Sequence, residues 1–147
     1  DAAMHQGIKT GGWCPKGRRA LDGEIPAKYP MKETAAKNYN TRTKWNVRDS
    51  DATLIICRDE PSGGTALTIK YCEQKDKPCL VYQLKGQSYL MTPSWEDPEI
   101  VYNWLYQHHV KVLNVAGPRE GEHCPIHEDT RSFLVELFQL VQQTDDK

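Results

Sequence analysis

The feature that most limits how this chain can fold is the run Thr53-Leu54-Ile55-Ile56-Cys57. It is apolar and largely β-branched, with none of the alternation of a strand that keeps one wet face, so it reads as a strand covered on both sides. Such strands belong to parallel sheets sandwiched between helices, and the flanking segments supply both. Helices are expected over 38–48, near 64–75, from Pro98 to about 109 and near 128–143; further strands are expected over 79–83 and 111–116. Asp97 in front of Pro98 reads as an N-cap followed by a first-turn proline. Ile100, Val101, Trp104 and Leu105 mark one apolar helix face, and Phe133, Leu134, Leu137, Phe138 and Val141 mark another. The alternation of strand and helix implies an α/β domain with a mainly parallel sheet, strands buried on both faces, and helices on both sides.

At 147 residues the chain suits one domain, 1–147. Residues 1–6 read as the tail of a helix stopped by Gly7, which leads to the expectation of a strand and a turn upstream. Ile8–Thr10 reads as a short strand. Residues 11–30, with four Gly and three Pro, read as loop, as does the stretch 84–96 around Pro93. His108 reads as a core histidine and His109 as exposed. The 19 basic and 20 acidic residues give a net charge of −1, unsuited to wholesale contact with a nucleic-acid polymer. No apolar run reaches the roughly 18–20 residues of a membrane span. Five scattered cysteines without a C-x-x-C pair imply a reducing, cytoplasmic setting.

Parallel topology sorts the polar residues without any further information. Ligands of such sheets bind where strands end and helices begin. The loops Gly11–Gly23, Asp59–Thr65 and Gly117–His127 fall on that edge, together with Glu33, Thr34 and Arg42 near helix starts. Asp49 and Asp51 in "RDSD" fall on the opposite edge and read as turn formers and caps. Ser62-Gly63-Gly64-Thr65 places two glycines and two hydroxyls ahead of a helix, either as a plain capped turn or as an anion site built on free amides and the helix dipole. Lys16, Arg18 and Arg19, between Gly17 and Gly23 or next to them, add cations in a loop of the same edge and favour the anion site. Ala116-Gly117-Pro118 closes a strand and offers backbone amides. The candidate binding residues are therefore Gly12, Lys16, Gly17, Arg18, Glu33, Thr34, Arg42, Ser62, Gly63, Gly64, Thr65, Ala116, Gly117 and Pro118. Trp13 or Tyr39 could stack on a ligand ring, with core packing the alternative for Trp13. His123, Cys124 and His127 lie at chelating spacing but lack a fourth ligand pattern, so no metal site is assigned. No catalytic residue is assigned either.

The strings "GGWCPKGRRALDGEIPAKYP", "TRTKWNVRDSDATLI", "SGGTALT" and "LNVAGPRE" resemble, in order and spacing, those of the molybdenum (molybdopterin) cofactor carrier family, across essentially the whole chain. That family is grouped with Rossmann-like proteins that include the DNA-processing protein A and Lonely Guy groups. The resemblance implies a Rossmann-like three-layer α/β/α fold and a homo-oligomeric carrier of a small-molecule ligand, the molybdenum cofactor or another phosphate-bearing nucleotide, with molybdoenzymes as receiving partners. Members of the family begin with a further strand and a Gly-rich turn resembling "SGGQTGVDRAAL", which this sequence does not contain.

Lonely Guy enzymes cleave the N-glycosidic bond of nucleoside monophosphates and carry a motif resembling P-G-G-x-G-T-x-x-E. Aligning its glycine pair on Gly63-Gly64 brings Lys70 to the glutamate position, and aligning Gly-Thr on Gly64-Thr65 brings Thr68 there. Neither side chain can serve as a carboxylate base. Binding without chemistry is the leading reading; a nucleoside-monophosphate phosphoribohydrolase with Glu33 as substitute, or a nucleotide-ligand sensor, are the alternatives.

Overall fold

A computed structural model of the chain describes residues 1–20, 22–85, 96–120 and 125–145. In chain order the elements are α1 (Ala2–His5), β1 (Trp13–Cys14), β2 (Arg19–Ala20), β3 (Gly23–Glu24), β4 (Lys32–Glu33), α2 (Tyr39–Arg48), β5 (Ala52–Cys57), α3 (Gly63–Gln74), β6 (Cys79–Gln83), α4 (Pro98–Gln107), β7 (Leu113–Ala116) and α5 (His127–Asp145). The apolar run becomes β5, the middle strand of a parallel sheet ordered β6-β5-β7. Leu54 registers on Leu80 of β6 and on Val115 of β7. Every residue of β5 is buried, as its lack of alternation requires.

Helices cover both faces of that sheet. Leu54 and Ile56 face Val101 of α4 and Phe133 and Leu137 of α5, with Tyr82 and Ile126 completing the cluster. The Tyr82 and Phe133 rings meet at 4.5 Å. Thr53 and Cys79 meet the Cys72 thiol of α3, and α2 packs on α3. Lys77 Nζ anchors the end of α2 by donating to the carbonyls of Val47 at 3.2 Å and Ser50 at 2.6 Å. Local signals set the helix starts. Asn38 Oδ1 accepts from Thr41 N at 3.1 Å to cap α2, and Asp97 Oδ1 accepts from Glu99 N at 3.1 Å to cap α4 ahead of Pro98.

Three readings of the sequence need correction. Burial on both faces holds for β5 alone. β6 and β7 are the sheet's edge strands among the described residues, and their Val81 and Val115 are 38% and 39% exposed. Cys79 is accordingly half-buried. Ile8–Thr10 forms no strand. The Gly- and Pro-rich segment instead holds three two-residue strands, β1 to β3, and β4 follows it at Lys32–Glu33. β1 pairs in parallel with β4, and β2 pairs antiparallel with β3. Frequent Gly and Pro keep each of these pairings short. His108 is exposed rather than a core residue: it is the C-cap of α4, and its ring tilts against Trp104 at 5.7 Å. The expected loop around Pro93 lies mostly outside the described residues.

The two aspartates of "RDSD" make structural contacts. Asp51 Oδ2 accepts from Lys111 N at 2.9 Å and Val112 N at 2.8 Å, joining the chain before β5 to the chain before β7. Asp49 accepts from the Arg48 guanidinium and from Trp13 Nε1 at 2.7 Å each. The Arg48 hydrogen bond first, and then that of Trp13, lowers the Asp49 pKa to about 2. A carboxyl with a depressed folded-state pKa adds stability above its unfolded pKa of about 3.9, and the contribution is lost as pH falls toward the folded value. Asp49→Asn is therefore expected to be less stable than the parent above about pH 4, with the gap closing as the pH falls toward 2 in urea titrations.

Candidate functional site

Because β5 and β7 run in parallel, their carboxyl ends share one edge, where α3 and α5 begin. A recess of about 790 Å³ opens there, within the range of small-molecule and cofactor pockets. Its floor includes Ile56 at the end of β5 and Asn114 to Pro118 of β7 and the following turn. One wall is the start of α3, with Ser62, Gly64 and Thr65; another is the start of α5, with Ile126, His127 and Arg131. Tyr39, Arg42 and Asn46 of α2 close a further side.

Gly117 is required by packing. A Cβ there would lie 2.3 Å from the Ile56 carbonyl oxygen, a backbone atom that cannot swing away. Gly117→Ala is expected to cost about 1–3 kcal/mol through this overlap, read from the midpoint of a denaturant titration.

The two helix starts differ in electrostatic state. At α5, Glu120 folds back over the first turn: its carboxylate accepts from Ile126 N at 2.8 Å and His127 N at 2.6 Å. That dipole is already answered by a negative charge. At α3, the Ser62 side chain makes no capping hydrogen bond, and Gly63 takes a left-handed φ of 53°. Thr65 N and Ala66 N donate to Ser62 O at 3.1 and 3.3 Å, and the first amides of α3 have no side-chain acceptor among the described residues.

A cluster of guanidiniums surrounds the Tyr39 ring, which also lines the recess. The Cζ atoms of Arg19, Arg42 and Arg119 stand 5.1, 5.5 and 5.1 Å from its centroid, each within cation–π range. Arg42 and Arg119 both line the recess. Arg42 Nε is buried without a hydrogen-bond partner. Burial lowers the Arg42 pKa, Tyr39 opposes that shift, and the charge of Arg119 adds to it. A guanidinium remains protonated under such pressure, so the geometry leaves a desolvated cation beside a like charge.

The structure divides the candidate residues. Arg42, Ser62, Gly64, Thr65, Ala116, Gly117 and Pro118 line the recess, and Gly63 sits in the same turn. Gly12, Lys16, Gly17, Arg18, Glu33 and Thr34 are not among its lining residues. They build the N-terminal unit instead. Arg18 donates from Nε to Ile25 O at 2.9 Å, and from its two Nη atoms to Met31 O at 3.3 Å, Pro26 O at 3.0 Å and Tyr29 O at 2.8 Å. Glu33 Oε1 accepts from Gly17 N at 2.8 Å, and Thr34 Oγ1 donates to Ala36 O at 2.8 Å. Lys16 is exposed. At Gly12, with φ of 139°, a Cβ would lie 3.3 Å from Asn46 Oδ1. Trp13 packs edge-on against Trp45 at 4.7 Å, whereas Tyr39 does reach the recess.

Sequence reasoning missed Arg119, Asn114 and Arg131 as lining residues. Arg119 directly follows the Ala116-Gly117-Pro118 turn, so the third edge loop carried a cation that was legible at that position. Of the chelating-spacing trio, His123 and Cys124 lie outside the described residues, and His127 lines the recess. Arg18→Ala is expected to lose about 1.5–3 kcal/mol of folding stability, through carbonyls left without their charged donor. Thermal and urea unfolding check this directly.

Fold and recess together define a Rossmann-like α/β protein with a cationic cleft at the carboxyl ends of its strands. Over residues 1–138 the sequence matches the circularly permutated YpsA SLOG family, and the chain belongs to that family. Among solved structures it is similar to the "Putative molybdenum carrier protein" from Syntrophus aciditrophicus SB. The identity is 37%, the TM-score is 0.75, and the match covers 95% of this chain and 82% of that one. No curated protein matches the chain.

Proposed function

We propose that this protein carries a molybdenum cofactor, holding a phosphate-bearing pterin or nucleotide-like ligand in the recess without changing it chemically. The observation that carries the reading is the pair of guanidiniums, Arg42 and Arg119, gathered at the Tyr39 ring and lining the same recess as the start of α3, whose Ser62 makes no side-chain cap. Two like charges at one ring disfavour each other, and an anionic ligand within reach of both relieves that repulsion. The name given to the Syntrophus protein, together with the shared family, favours a molybdenum-bearing ligand over other anions. The donors lining the recess are guanidinium, hydroxyl and amide groups, chemistry suited to the phosphate and ring edges of such a cofactor. Arg42, Arg119 and the first amides of α3 would hold its phosphate; the metal chemistry would be the cofactor's own.

The absence of chemistry rests on where the carboxylates are: of the two that line the recess among the described residues, Asp1 accepts from Tyr29 Oη at 2.6 Å and lies 4.0 Å from His127 Nε2, and Glu120 is engaged by backbone amides. Glu33, the substitute base of the enzymatic reading, is bonded to Gly17 N away from the recess, and Glu120 is bonded to the start of α5. Thr68 donates to Gly64 O at 2.9 Å, and Lys70 is exposed.

Calorimetric titration with molybdopterin-type pterins and with nucleoside monophosphates tests the reading. One equivalent is expected to bind and to be recovered unchanged. Arg42→Ala and Arg119→Ala are each expected to weaken binding by about ten- to a hundredfold, the loss of one charge-assisted contact. Failure of both ligand classes to bind overturns the proposal, and release of free base from the nucleotides replaces it with the hydrolase.

A further inference from the structure

We infer that the recess selects the doubly ionised phosphomonoester end of its ligand, clamped between Arg42 and Arg119, and that Tyr39 is the positioning residue that gathers the clamp. The inference deepens the carrier reading and rests on it. It starts from an imbalance of charge. Arg42 and Arg119 stand 5.5 and 5.1 Å from one ring centroid, close enough for each to destabilise the other's charge. The acid that follows Arg119, Glu120, directs both carboxylate oxygens to the backbone amides of Ile126 and His127. It answers the α5 dipole and leaves the clamp uncompensated.

The start of α3, which lines the same recess, adds to the imbalance. The α3 terminus carries roughly half a positive charge and has no side-chain cap. The arginines that line the recess are Arg42, Arg119 and Arg131, against the carboxylates Asp1 and Glu120, and the α3 terminus adds to the positive side. A phosphomonoester carries about −1.5 to −2 at neutral pH and answers a positive excess there more fully than a single negative charge does. A phosphodiester, such as the methyl ester of that phosphate, carries one negative charge and leaves more of the positive excess unanswered. A guanidinium also presents paired donors that a terminal phosphate, with three free oxygens, can meet from two directions at once.

Tyr39 explains how the clamp persists without a ligand. Its ring offers negative quadrupole density within about 6 Å of all three guanidiniums, which offsets part of their mutual repulsion. Arg19 is tied to Lys37 O at 2.7 Å and supports the ring from outside the recess lining. The prediction follows from the ring and not from the phenol: Phe conserves the quadrupole and Leu does not.

The test uses four probes on the full chain: a pterin phosphomonoester and its methyl ester, and AMP and its methyl ester. At least one monoester is expected to bind about tenfold or more tightly than its methyl ester. Arg42→Gln and Arg119→Gln are expected to reduce that ratio to within about twofold, as is Tyr39→Leu, whereas Tyr39→Phe preserves it. Unfolding midpoints and circular dichroism of each variant establish that the fold is retained; Phe restoring what Leu loses separates positioning from a general packing role. Equal affinity for monoester and methyl ester overturns the inference and leaves the carrier reading standing. Inorganic phosphate binding as tightly as the monoesters also overturns it, by assigning the clamp to a free oxyanion. If none of the four probes binds, the carrier reading itself falls, and this inference with it.

Discussion

Burial of β5 on both faces organises the rest of the molecule. The strand has no wet side, so helices must cover it above and below, and parallel neighbours need crossovers long enough to be helices. Leu54 and Ile56 gather α4 and α5, while Thr53 faces α3. The parallel arrangement then places the ends of β5 and β7 on one edge with two helix starts beside them. At that edge Gly117 passes so close to the Ile56 carbonyl that no side chain fits between. The recess is thus a consequence of how the core strand is covered, and its floor is continuous with the core.

Charge within the recess is unevenly settled, and that unevenness separates scaffold from site. Arg18 and Arg42 are the same residue type in similarly polar stretches, yet they meet opposite fates. Arg18 donates to four carbonyls at 2.8–3.3 Å, which staples the turns of the N-terminal unit. Arg42 keeps a buried donor unpaired and shares an aromatic ring with other cations. The helix starts divide in the same way: Glu120 completes α5, while α3 begins open. Polar groups whose hydrogen bonds are complete stabilise the fold, and those left incomplete toward a cavity are where a ligand gains most.

The N-terminal unit is where sequence reading went furthest astray. Lys16, Arg18 and Glu33 occupy loops that the parallel-sheet rule assigns to the ligand edge. That rule presumes each strand belongs to the main sheet. Among the described residues β1 pairs with β4, and β2 with β3, in two small sheets separate from the main one, so the rule does not transfer. At β5 and β7, whose strands do belong to the main sheet, Ser62, Gly64, Thr65 and Ala116 to Pro118 line the recess. Asp49 and Asp51, on the opposite edge, became a cap and a brace, the roles that their position in the topology implies.

The amino-acid sequence by itself determined the α/β class, the helices and strands from residue 39 onward, the glycine turn ahead of α3 and the sheet edge on which the recess opens. These are local or periodic properties: apolar runs, caps, first-turn proline and glycine act over a few neighbouring residues. Tertiary structure alone decided which cations face the recess, because that depends on whether each guanidinium finds carbonyl acceptors from distant segments. Residues 25–31 supply them for Arg18, and nothing comparable reaches Arg42 Nε. The meeting of Arg19, Arg42 and Arg119 over Tyr39 likewise joins segments up to a hundred positions apart. No pattern of spacing encodes it; only the folded sheet brings them together.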